Sequence, residues 1–98
     1  MKWIEIIELR SVDITEKLIE KDLKKILTQL EKESEKYNIK VYMRVMIDTD
    51  YSIHLFHESN IVENSGSTLG LRLVSALKSY GLVNHTIWVE KPKDSLAE

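Results

Sequence analysis

Residues 39–58, IKVYMRVMIDTDYSIHLFHE, decide the fold. Val41, Met43, Val45 and Ile47 alternate with Tyr42, Arg44 and Met46, the period-two pattern of a strand with two unlike faces. Asp48, Thr49 and Asp50 supply turn chemistry, and beyond them Ile53 and Leu55 alternate with His54 and Phe56. The stretch predicts a β-hairpin. Its two aliphatic sets must share a face, so the numbers of paired residues must sum to an even value. The tightest such register pairs Ile47 with Tyr51, Val45 with Ile53 and Met43 with Leu55. It sets Arg44 opposite His54 and Tyr42 opposite Phe56.

Upstream, Ile19, Leu23, Ile26, Leu27 and Leu30 recur at helical spacing, with lysines and glutamates on the remaining face. One amphipathic helix is expected there, reaching about Tyr37. Asp13 and Glu16 form a capping box at its start, and Asn38 is its expected C-terminal cap. Before the helix, Lys2 to Leu9 carries Trp3, Ile4, Ile6, Ile7 and Leu9 at both parities, which suits a central strand buried on both sides.

Downstream, residues 59–66 form a polar connection, and Ser65 or Ser67 can cap a second helix. Its stripe is Leu69, Leu73, Ala76, Leu77 and Tyr80, with Gly81 as the expected left-handed stop. Gly70, in the first turn, costs about 1 kcal/mol relative to alanine and implies close packing against a strand. Leu82 to Lys91 alternates once more and ends at Pro92. Residues 1–91 are therefore read as a single domain and 92–98 as a disordered tail.

The order strand, helix, strand, strand, helix, strand, joined by right-handed crossovers, lays both helices on one face of a four-stranded antiparallel sheet. The expected class is α+β, a ferredoxin-like βαββαβ sandwich with the first and third strands central. Parity places Tyr42, Arg44, Met46, His54, Phe56, Thr86 and Trp88 on the opposite, open face, and Trp3, Glu5 and Ile7 are expected to join them. Such a patch, roughly several hundred Å², is too apolar to stand in water. A second copy of the chain, a ligand, or both should cover it.

At this level the chain resembles the dimeric α/β-barrel group, including the antibiotic-biosynthesis-monooxygenase-like and stress-responsive barrel families. The resemblance lies in the element order, the strand YSIHLFHES (51–59) and the closing strand HTIWVEKP (85–92). It implies a homodimer formed through the open sheet faces, enclosing a small-molecule cavity. It carries no catalytic motif residue by residue, so it implies an assembly rather than a reaction.

Composition narrows the partners. The 98 residues are 43% hydrophobic and 31% charged, ordinary values for one globular domain. There is no cysteine, which excludes thiolate metal sites and cysteine nucleophiles and suits a reducing, cytoplasmic compartment. The N-terminal stretch MKWIEIIELR lacks the layout of a signal peptide, and no apolar run is long enough for a membrane span. A net charge of −2 argues against a nucleic-acid partner.

Six residues are the candidate ligand-binding set: Glu5, Tyr42, Arg44, His54, Phe56 and Trp88. His54 beside Arg44, with Glu5 on the neighbouring strand, is the sharpest polar constellation, suited to proton transfer or to a structural network in a dimer interface. His54 and His57 point to opposite faces, and His85 lies on the face opposite His54, so neither a metal site nor a cofactor is expected. The second helix start, SGSTLG (65–70), offers the free backbone N–H groups of a generic anion site but lacks the lysine of a phosphate loop, and it is read as a helix cap. Nor is there a G-x-S-x-G elbow, the glycine–aromatic spelling of RNA-binding sheets, or the glycine-rich loop of acylphosphatases. The expected function is a homodimeric domain that binds a small, partly apolar molecule. The alternative is a protein-interaction module without such a ligand, and no motif decides whether the chain is an enzyme.

Overall fold

β1 (Lys2–Ser11) runs through the middle of the sheet, hydrogen-bonded to β3 (Ile47–Glu58) on one side and to β4 (Gly81–Val89) on the other. The computed structural model describes residues 1–11, 16–33 and 38–97. β2 (Asn38–Arg44) adds the outer edge, giving the order β2-β3-β1-β4 with every neighbouring pair antiparallel. Each β-α-β connection therefore skips one strand: α1 (Glu16–Glu33) joins β1 to β2, and α2 (Thr68–Leu77) joins β3 to β4. The result is an α+β fold in β-α-β-β-α-β order. A short 3-10 turn, Lys93–Ser95, follows the last strand.

One cluster makes the core. Ile7 and Leu9 of β1, Tyr51, Ile53 and Leu55 of β3, Ile19 and Leu23 of α1, and Leu69, Leu73 and Leu77 of α2 are all buried together. Every buried strand residue carries an odd number, so both helices cover the same side of the sheet. Of the helical stripes read from the sequence, Ile19, Leu23, Leu69, Leu73 and Leu77 lie in the core and Ile26 and Tyr80 pack against it, whereas Ala76 is exposed and Val74 packs on the core instead; the Leu30 side chain lies outside those described. The Tyr80 hydroxyl donates to Asp22, tying the end of α2 to α1.

Five local expectations are corrected. The hairpin turns at Val45–Met46, not at Asp48–Asp50; Arg44 pairs with Ile47, and Met46 takes a φ of 64°. The register keeps its parity but slides, so Met43 faces Tyr51 and Val41 faces Ile53. The slide leaves Asp50 within β3, paired with Arg10, where it accepts from Arg44 Nη1 at 3.3 Å. That charge partner favours a paired strand over a turn at Asp50. Asn38 opens β2 rather than capping α1. Gly81 opens β4 opposite Ser11 rather than ending α2, whose cap is Lys78; a side chain there would collide with the Arg10 carbonyl.

The fifth correction concerns β1. Trp3, Glu5 and Ile7 lie on the helix-covered side, not on the open face, and are 2%, 0% and 0% exposed. With apolar residues at both parities, β1 could not fix its own orientation. What turns Glu5 inward is a set of donors from three distant elements. The Asp13 capping box lies outside the described residues.

Candidate functional site

The open face is the even-numbered side of the strands. Register sets its side chains in rows: Phe56, Ile4 and Trp88; then Lys40, His54, Ile6 and Thr86; then Tyr42, Ser52, Glu8 and Asn84; then Asp50, Arg10 and Leu82. One end is apolar and the other polar. No even-numbered strand residue is buried among the described residues, and Tyr42 and Trp88 are 47% and 56% exposed. Tyr42 and His54 stand 4.8 Å apart between ring centres, and His54 and Phe56 6.3 Å. His54 Nε2 is 2.9 Å from Ser52 Oγ, while the Trp88 indole N–H donates to Thr86 Oγ1 at 2.8 Å.

The six candidates are not one constellation. Phe56 and Trp88 line a groove of about 740 Å³ at the apolar end, together with Ile4, Trp3, His57 and Val89. Tyr42 and Arg44 line a separate hollow of about 540 Å³ at the hairpin end, with Arg10, Asp50 and Ser52. His54 lies between them. It faces Lys40 and Ile6 rather than Arg44, whose guanidinium is instead paired with Asp50. Glu5 is on the other side of the sheet altogether.

There Glu5 anchors a second polar site. Its Oε1 accepts from the Ser67 backbone N–H and from His85 Nε2, both at 2.9 Å. Its Oε2 accepts from Ser67 Oγ and from His57 Nε2, both at 2.5 Å. Four donors thus saturate one carboxylate, as burial of a charge requires. Since a carboxylate only accepts, each imidazole presents Nε2–H and carries its remaining site on Nδ1. Burial alone would push the Glu5 carboxyl up, but the Ser67, His57 and His85 hydrogen bonds outweigh it and hold the group below its ordinary value.

The fold builds this cluster from opposite ends of the chain. Ser67 caps α2, its Oγ accepting from Gly70 N–H at 3.0 Å while donating to Glu5. Ser67 is thus the cap read from the sequence, and the anion at this helix start is the chain's own carboxylate. A Cβ on Gly70 would collide with Glu5 Oε1, so the glycine in the first turn makes room for the carboxylate. Trp3 stacks on His57 with centroids 4.0 Å apart and holds its own indole N–H on Ser59 Oγ at 2.9 Å.

His57 and His85 approach Glu5 from the strands on either side of β1, opposite Trp3 and Ile7 respectively. Their Nε2 atoms converge on one carboxylate, so their Nδ1 atoms face apart and do not share an ion. Among the described residues no three acidic, histidine or cysteine side chains form a metal-binding group. Neither Nδ1 has a hydrogen-bond partner among the described residues. The His57 and His85 side chains keep 12% and 14% exposure. The arrangement is a pair of imidazoles oriented by a buried carboxylate through Nε2.

Sequence reasoning missed His57, His85 and Ser67 as site residues. The signal was parity: His57 shares the face of Ile53 and Leu55, and His85 that of Ile87 and Val89. Two histidines on the core side of strands flanking β1 call for the one glutamate of β1 that shares their odd parity, Glu5 rather than Glu8.

Comparison of the chain with family models, curated proteins and solved structures finds no match in any of the three.

Proposed function

We propose that this chain is a ferredoxin-like domain that binds a small, partly apolar molecule on its open sheet face and works as a homodimer, two such faces packing together as in a dimeric α/β barrel. The observation that carries this reading is the groove of about 740 Å³ with Ile4, Phe56 and Trp88 along its wall. A cleft of that size, lined by apolar and polar side chains together, suits a small, partly apolar ligand. Trp88 is more than half exposed, at 56%, so the face still has apolar surface to bury.

The test uses the tryptophan itself. Titration with 1-anilinonaphthalene-8-sulfonate should quench Trp88 and saturate, and Phe56→Ala with Trp88→Ala should abolish saturation. A linear, unsaturable response would refute the pocket. A second reading, a protein-docking module, is favoured by the hairpin tip, where Val45 and Met46 are 85% and 98% exposed. Native mass spectrometry separates the two, since a co-purifying small molecule supports the first reading.

A further inference from the structure

We propose that His57 is the acid–base group of the groove, exchanging a proton with the bound molecule through Nδ1 while Glu5 holds its Nε2–H from behind. The inference rests on the small-molecule reading and adds a ligand class to it: a small aromatic or apolar molecule with a weakly acidic O–H or C–H. His57 is the member of the buried cluster that lines the groove, alongside Trp3, Phe56 and Trp88. The other ionisable groups along that wall are Lys2, Glu58 and Glu90. Of these side-chain types, an imidazole is the one that both gives and takes a proton readily near neutrality.

Three constraints fix the ring. The 2.5 Å contact to Glu5 Oε2 sets the tautomer and leaves Nδ1 as the basic atom. Trp3, stacked at 4.0 Å with an interplanar angle of 20°, prevents the ring from turning. Ser67 and His85 hold the carboxylate in turn, through contacts of 2.5 and 2.9 Å to Ser67 and 2.9 Å to His85. A proton taken from the ligand onto Nδ1 makes an imidazolium whose Nε2–H already points at a carboxylate. The ligand keeps the electron pair as an oxyanion or carbanion, and return of the same proton closes the exchange. Glu5 is a positioning residue here, since it touches the ring and not the ligand.

The probe is 4-nitrophenol, small, aromatic and acidic, whose ionisation is visible as the yellow phenolate. At a pH about one unit below its solution midpoint, probe bound to the wild-type protein should be mostly phenolate, a drop of about one unit or more in its apparent ionisation. His57→Gln should bind the probe and leave it colourless. Lys25→Gln, altered on the exposed side of α1, should behave as wild type. Glu5→Gln should lower the ionised-to-neutral ratio of bound probe about tenfold, and Glu5→Asp should restore part of it. If Glu5→Gln does not fold by circular dichroism, ¹⁵N spectra of the wild-type ring replace it, and protonated Nε2 with probe-shifted Nδ1 is expected. Bound probe that stays neutral, or that ionises equally in His57→Gln, overturns the proposal. Absence of saturable binding to the wild type overturns the groove itself.

Discussion

Glu5 shows how a charge can sit at 0% exposure in a domain of 98 residues. Each of its two oxygens accepts twice, and one donor, Ser67, contributes both its N–H and its hydroxyl. The linkage follows from the depressed carboxyl. Its contribution to stability is complete above the ordinary value of 4.5 and disappears as the pH falls through the lower folded value. Urea midpoints taken from pH 7 down to 3 should therefore fall more steeply for the wild type than for Glu5→Gln. Equal slopes would show that Glu5 does not carry the acid sensitivity. Glu5→Ala, which strands two imidazoles and Ser67, should cost about 3–5 kcal/mol at pH 7. Gly70→Ala gains about 1 kcal/mol of helix propensity but drives a methyl into Glu5 Oε1. A net loss of about 2 kcal/mol is expected by denaturant unfolding, against the usual sign of this substitution in a helix.

At the scale of elements, the hairpin carries the other strained residue. Met46 holds φ at 64° in a two-residue turn, a conformation that costs a side chain about 1–2 kcal/mol. Met46→Gly should raise the unfolding free energy by about 0.5–1 kcal/mol, since the side chain is 98% exposed and packs on nothing. An unchanged or lower urea midpoint would contradict the turn assignment. The six elements, their order and the faces of β2, β3 and β4 were legible because strict alternation leaves a strand one orientation. The turn was not. Asp48-Thr49-Asp50 has the better turn composition, but Asp50 is held in the strand by Arg10 and Arg44 at 3.8 and 3.3 Å. Nor was the side on which Glu5 sits, because its partners lie 52, 62 and 80 residues away and no local pattern reports them. The candidate set was accordingly right about the open face for Tyr42, Arg44, His54, Phe56 and Trp88, and wrong for Glu5.

Across the whole molecule, the sheet separates two kinds of surface. Its covered side holds the apolar core and the Glu5 cluster; its open side runs from Ile4, Phe56 and Trp88 at one end to Arg10, Arg44 and Asp50 at the other. His57 belongs to the covered side, yet it lines the groove at the sheet end. The buried carboxylate–imidazole cluster and the groove with Ile4, Phe56 and Trp88 on its wall therefore meet at His57. The apolar end is also the surface that a second copy would bury. Large aromatic residues dominate such interfaces, and replacing one at the centre typically costs about 2 kcal/mol or more. The most direct measurement is the solution mass by multi-angle light scattering at micromolar concentration, for the wild type and for Trp88→Lys. A homodimer packed through the open sheet faces should show twice the chain mass of 11.5 kDa for the wild type and the single-chain mass for the variant. A wild-type protein that runs at 11.5 kDa throughout would contradict it.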